Sequence, residues 1–210
     1  MGGKLPKQYL AVGGQPILVR TIRVFDALKA IDAIVVVAPR AFIARTRSLL
    51  TKAGITKVIK IVAGGRDRQS SVRAGLDAFS EPPEFVLVHD AVRPFIRAET
   101  VRKVITATKR FGAAGVGVRV TDTIKEGNVK GFYTNTLRRD RLWAVQTPQG
   151  FRFSILIAAH NAARKAGFSG TDEASLLERR GIPVRIVEGE HRNVKITTKE
   201  DLKIARIRTK

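Results

Sequence analysis

The sequence predicts an α/β fold, a mostly parallel sheet with helices on both faces, and three observations carry that reading. Short apolar runs suited to buried strands alternate with segments of helical periodicity. An acid and a base stand just past the end of one such run, where a parallel sheet exposes its loops. The composition, 44% hydrophobic and 27% charged over 210 residues, is that of a globular chain of ordinary domain length. One domain over residues 1–210 is expected, without internal repeat, low-complexity tract or linker.

The first helical pattern follows Pro16, a favourable first-turn residue, with Leu18, Ile22 and Phe25 at i, i+4 and i+7. Residues 33–38, Ala-Ile-Val-Val-Val-Ala, predict a strand buried on both faces, and residues 57–62 and 85–89 predict two more. Val72, Leu76 and Phe79 place a helix between those two. The rhythm breaks near residue 120. Residues 121–125 and 129–134, around Glu126-Gly127-Asn128, predict a β-hairpin arm of the kind that meets another subunit. Helices are expected over 153–166 and 173–180, a strand over 183–187, and a last helix opened by a capping box, Thr198-Lys-Glu-Asp201.

Charge narrows the partners. Thirty-nine Lys and Arg against 18 Asp and Glu give a net charge of +21, a field that recruits anions. The basic residues are spread along the chain, with small knots at 137–141 and 206–210, so no dedicated nucleic-acid arm is marked. A solvated basic surface is the plainer explanation, and nucleic acid is not the expected partner. No apolar run approaches the roughly 20 residues of a membrane helix, the N-terminus shows no apolar leader, and a cytoplasmic address is expected. Zero cysteines exclude disulfides and thiolate chemistry, and His89, His160 and His191 are too scattered for a histidine metal cage.

Chemistry is expected at the strand ends. Asp90 and Arg93 follow the strand at 85–89. A lone aspartate there suits Mg²⁺, which takes one or two carboxylates plus substrate phosphates, or it caps a turn and pairs with Arg93. Gly64 and Gly65, followed by Ser70 and Ser71 at a helix start, offer close backbone approach, free N–H groups and hydroxyls to a base or phosphate; a tight turn with an N-cap explains the same letters. Lys7 and Lys195 are candidate phosphate cations or simply solvated lysines, and Trp143 reads as packing. Together these residues suggest a phosphate-handling site suited to phosphoryl or nucleotidyl transfer. No Ser-His-Asp arrangement, Walker loop or zinc spacing competes.

The motifs Pro6-Lys7-Gln8-Tyr9-Leu10, Gly64-Gly65-Arg66-Asp67-Arg68-Gln69-Ser70-Ser71-Val72, His89-Asp90-Ala91-Val92-Arg93-Pro94, Asp122-Thr123-Ile124-Lys125, Leu142 through Gln149, Thr171-Asp172-Glu173-Ala174-Ser175 and Asn193-Val194-Lys195-Ile196-Thr197 occur in order along the chain. In them the sequence resembles the 2-C-methyl-D-erythritol 4-phosphate cytidylyltransferase family. The resemblance implies a Rossmann-like sheet of the nucleotide-diphospho-sugar transferase type, a homodimer built through the 120–141 arm, CTP as substrate and dependence on Mg²⁺. By matching position it implies that Lys7 stabilises α-phosphate charge, that Gly65 and Ser71 face the cytosine with Gly64 also binding the nucleotide, and that Asp90 holds the metal and contacts substrate beside Ala91 and Arg93. Lys195 would contact phosphates, Thr147 would line the methylerythritol phosphate pocket, and Thr123 and Arg139 would reach it from the partner subunit.

Two further expectations follow from the same comparison. Members of the family begin with a strand and a Gly-rich triphosphate loop that run into a pair aligning with Met1-Gly2, so that strand and loop are expected upstream of this chain. Ribitol-5-phosphate cytidylyltransferase is the nearest enzymatic rival, although residues 142–148 and 171–175 resemble the methylerythritol family better. A truncated, inactive nucleotide binder and a basic RNA-binding protein are the alternatives from other classes.

Overall fold

The computed structural model describes residues 5–209, so the Met1-Gly2 pair lies outside the described residues. A 3-10 turn at Lys7–Tyr9 leads into a small antiparallel pair, β1 (Ala11–Val12) and β2 (Gln15–Pro16), and then α1 (Ile17–Asp26). Leu18, Ile22 and Phe25 face the core from α1, as their spacing requires. The chain continues through β3 (Ile34–Ala38), α2 (Ile43–Lys52), β4 (Val58–Ala63), α3 (Arg68–Leu76), β5 (Phe85–Val88) and α4 (Ala98–Phe111). β3 and β4 are parallel, the βα rhythm read from the sequence.

α4 buries Val101, Val104 and Thr108 along one stripe and stops at Gly112, whose φ of +81° is the left-handed conformation that ends helices. Then come β6 (Ala113–Arg119), β7 (Lys125–Gly127), β8 (Tyr133–Thr136), β9 (Trp143–Arg152), α5 (Phe153–Lys165), α6 (Glu173–Glu178), β10 (Arg185–Glu188) and α7 (Lys199–Ile207). β10 pairs parallel to β6, while β9 runs antiparallel between β6 and β5, giving the order β10-β6-β9-β5. The sequence reading named neither β6 nor β9. Ala and Gly dilute the strand signal of the first, and Gln, Pro and Gly that of the second. α7 opens as expected: Thr198 Oγ1 accepts from Asp201 N, and Asp201 Oδ2 accepts from Thr198 N.

The hairpin forms further along the chain than its sequence suggested. Its turn spans 128–132 because Asn128 Oδ1 accepts from the backbone N–H of both Lys130 and Phe132, and Gly131 supplies a φ of +83°. Both arm strands are exposed throughout.

β3 and β5 do not pair. Among the described residues β3 bonds only to β4 and β5 only to β9, and between them lies a cavity of about 750 Å³. Its apolar walls include Ile22 and Phe25 of α1, Val36 of β3 and Leu87 of β5, and its polar end is lined by Arg68, Ser71, His89 and Asp90.

Candidate active site

Asp90 is the second residue of the loop that leaves β5. Its backbone is set first: Asp90 N donates to Thr147 Oγ1 at 3.0 Å, and Arg93 N donates to Asp90 O, closing a tight turn. Thr147, buried on β9, also lies 3.0 Å from His89 Nδ1. Arg93 O can only accept, so Nε2 carries the proton and donates to it; with the ring held neutral by burial, Nδ1 accepts from the Thr147 hydroxyl. Burial holds the His89 pKa at about 4 against the pull of Asp90, and the ring packs on Phe25.

Three cations converge on the Asp90 carboxylate. Lys195 Nζ lies 3.0 Å and Arg93 Nε 3.3 Å from Oδ2, and Arg68 Nε lies 3.6 Å from Oδ1. Burial opposes ionisation of Asp90, yet the Lys195 ammonium, with Arg68 and Arg93, holds the carboxyl below its ordinary range. With Glu173 also paired to Arg68, two negative charges stand among three positive ones, which leaves the site net positive and able to receive an anion.

Lys195 and Arg93 are themselves held. Arg93 donates through Nη1 to Asn193 O at 2.8 Å, and Ile196 N donates to Val92 O, so the 193–196 segment is stitched to the Asp90 loop. Buried Asn193 in turn donates through Nδ2 to Gln146 Oε1 and Thr147 O on β9. Asn193, His89 and Gln146 fell inside or beside the motifs but received no role from the sequence alone, because only the fold shows that their polar atoms face one another.

The glycine loop lies at the N-terminus of α3. Its cap is Asp67 rather than either serine: Asp67 Oδ1 accepts from Ser70 N at 2.7 Å and Ser70 Oγ accepts from Asp67 N, a reciprocal box. Ser71 Oγ accepts from Gly65 N at 3.1 Å and donates to Asp67 O, folding the loop back over the helix start. A Cβ on Gly65 would collide with Ser70, and one on Gly64 would come within 2.9 Å of Ser71 Oγ. Close packing on the two serines disfavours a side chain at either glycine, and both glycines are exposed.

Of the residues singled out in the sequence, the fold thus brings together Asp90, Ala91, Arg93, Thr147 and Lys195, with Gly64, Gly65 and Ser71 at the adjoining helix start. Lys7 sits in the first 3-10 turn and makes no ion pair or side-chain hydrogen bond among the described residues. Nearby Leu5 packs on the same apolar cluster as Ala91. Thr123 and Arg139 stand on the exposed arm, where Arg139 Nη1 donates to Thr121 O, and neither touches the Asp90 group among the described residues. Trp143 packs on Gly117 with the Arg119 guanidinium 4.6 Å from its ring, which agrees with a packing role.

No group of three or more His, Asp or Glu is placed to hold a metal among the described residues. Asp90 alone fits Mg²⁺ by its chemistry, since that ion takes few protein carboxylates and completes its shell from phosphates and water. No helix among the described residues is long and apolar enough to cross a membrane.

Residues 1–209 match the model of the family described as IspD, 2-C-methyl-D-erythritol 4-phosphate cytidylyltransferase. The chain is 46% identical over 205 residues to the 2-C-methyl-D-erythritol 4-phosphate cytidylyltransferase of Geobacillus kaustophilus, covering 98% of this chain and 89% of that one. It superposes with a TM-score of 0.88 on the 4-diphosphocytidyl-2C-methyl-D-erythritol synthase of Anaerococcus prevotii, at 31% identity, over 96% of this chain and 92% of the other. The 2-C-methyl-D-erythritol 4-phosphate cytidylyltransferase of Thermus thermophilus gives a TM-score of 0.81 at 33% identity, over 97% and 93% of the two chains. An α/β fold, a cluster of cations at a strand end and this degree of likeness agree, and the chain belongs to the 2-C-methyl-D-erythritol 4-phosphate cytidylyltransferase family.

Proposed function

We propose that this chain, as one domain with a dimerisation arm, transfers the cytidylyl group of CTP to 2-C-methyl-D-erythritol 4-phosphate. A phosphate oxygen of the sugar attacks the α-phosphorus in line. The new P–O bond forms as the α–β bridging bond breaks, and pyrophosphate leaves with the electron pair. The observation that carries this reading is the convergence of Lys195, Arg93 and Arg68 on Asp90, a positive centre at the mouth of a sheet with a glycine loop beside it.

In this reading Gly64, Gly65 and Ser71 receive the cytosine, whose amide-like edge suits backbone groups and a hydroxyl. Lys7 neutralises charge that builds on the α-phosphate, and Lys195 grips phosphate oxygens as a mobile point charge. Arg93 and Ala91 shape the loop that presents Asp90, and Thr147 braces that loop at the wall of the sugar phosphate pocket. A divalent cation held by Asp90 would supply further charge neutralisation between the phosphates.

Thr123 and Arg139 are assigned to the partner subunit's site. Their exposed placement on an arm that also exposes Val129, Phe132 and Tyr133 supports that assignment. Mixing two inactive variants tests it. Asp90→Asn and Arg139→Ala each abolish turnover as homodimers. In a mixed dimer one of the two sites draws both native residues, so an equal mixture recovers about a quarter of parental activity. No recovery, with mixed dimers demonstrated by mass, refutes the shared site.

A further inference from the structure

We propose that Arg68 and Glu173 form a positioning pair that fixes the orientation of the Asp90 carboxylate and couples it to the cytosine-facing loop. The inference rests on the reading of Asp90 as the acid that faces the substrates.

Asp90 is gripped from two sides. Lys195 and Arg93 both approach Oδ2, whereas Arg68 is the cation that approaches Oδ1. With contacts to Oδ2 alone the carboxylate could turn about its terminal bond, a broad and soft torsion. The Arg68 charge, 3.6 Å from Oδ1, restrains that turn by attraction rather than by a hydrogen bond.

Arg68 can serve this way because its guanidinium is anchored elsewhere. Nη1 donates to both oxygens of Glu173, at 2.9 and 2.7 Å, and leaves Nε to face Asp90. The planar fork transmits orientation: once Nη1 is held, the direction of Nε follows. Glu173 is only 1% exposed and is the first residue of α6, a helix packed into the core through Leu176 and Leu177. Asp172 just before it accepts from Ser175 N and from Gln149 Nε2 on β9, so the anchor is tied to the sheet.

The next residue along α3 repeats the link. Gln69 donates to Phe168 O and accepts from Gly170 N, fastening the start of α3 to the α5–α6 connection. Arg68 is thus in the first turn of the helix whose other first-turn groups, capped by Asp67, shape the Gly64–Ser71 loop. One fastened helix start therefore carries both the loop and the group facing Asp90 Oδ1, which keeps the base pocket and the carboxylate in fixed register.

A purely structural ion pair would account for the same burial, and the pair's own replacement separates the two roles. Exchanging both partners, Arg68→Met with Glu173→Met, leaves no unpaired charge and keeps similar volume, so stability is preserved even when the pair is gone. The expected result is a double variant whose melting temperature stays near the parent's. Its kcat falls by about 10–100-fold, as for loss of other orienting partners, while its KM for CTP changes less than threefold. Its crystal structure shows Asp90 Oδ1 turned from α3. Parental turnover in the double variant, or an Asp90 orientation identical to the parent's, overturns the proposal. Glu173→Gln, which keeps shape and a hydrogen-bond acceptor, gives a milder form of the same two readouts should the double variant fold poorly. If the parent chain does not consume CTP with methylerythritol phosphate, the proposed function fails. The orientation of Asp90 in the variant crystal then still decides the role of the pair.

Discussion

Lys195 Nζ lies 3.0 Å from Asp90 Oδ2, joining a residue that precedes α7 to the acid at the end of β5 across more than a hundred residues of sequence. The pair is partly open, with the Lys195 side chain 38% exposed, so the ammonium is free to exchange the carboxylate for a phosphate. Lys195→Met is therefore expected to lower kcat/KM by about 100-fold, roughly 3 kcal/mol, while Lys195→Arg, which keeps charge but not shape, recovers part of it. Steady-state kinetics with CTP and methylerythritol phosphate check this. A Lys195→Met enzyme within threefold of the parent removes Lys195 from the reaction.

Lys7 presents the contrasting case of a cation without a protein partner among the described residues. A charge kept for the reaction step contributes little to folding, so Lys7→Ala should cut kcat by about 10²–10³-fold and move the melting temperature by less than about 2 °C. Calorimetry beside kinetics separates the two effects. A large loss of stability with intact turnover would instead make Lys7 a structural residue.

Gly65→Ala probes the base loop. The added methyl meets Ser70, which must move out of the capping box with Asp67. The expected cost is about 1 kcal/mol of stability from the damaged cap, with a rise of about tenfold in KM for CTP from the displaced loop. The KM for the sugar phosphate stays as it was. Equal changes in both KM values would show that the loop does not select the nucleotide.

His89 and His160 give the chain an acid sensitivity with a definite sign. Burial lowers both from an ordinary value of 6.5 to about 4, so between these pH values the unfolded chain binds protons that the folded one refuses. Stability is fully present above pH 6.5, is lost as pH falls toward 4 and levels below that. Half-buried His89, on the cavity wall, accounts for up to about 3 kcal/mol of it. His89→Gln should flatten the slope of melting temperature against pH between 6.5 and 4. An unchanged slope would mean that His89 is already charged in the fold.

Much of the scaffold was legible because its signals are local. The i, i+4, i+7 apolar residues of α1, the Val-rich run of β3 and the Thr198–Asp201 box each act within a few residues of chain, where periodicity and capping dictate backbone form. The hairpin arm was legible in kind but not in position, since Asn128 and Gly131 chose the turn through side-chain and φ preferences that a strand pattern does not weigh. β6 and β9 were not legible. Their Ala, Gly, Gln and Pro have weak strand preference, and only pairing with β5 and β10 makes them strands.

The site divides the same way. Sequence by itself determined which residue types stand at the strand ends and the family to which they belong, because the motifs fix identity and order along the chain. Only the tertiary structure decided that Arg68, Arg93 and Lys195 share one carboxylate, that Glu173 anchors Arg68 across 105 residues, and that Thr147 and His89 lock the loop beneath. The physical reason is that charge attraction and hydrogen bonding act over a few ångströms of space, and spacing along the chain does not report them until the sheet brings the strand ends together.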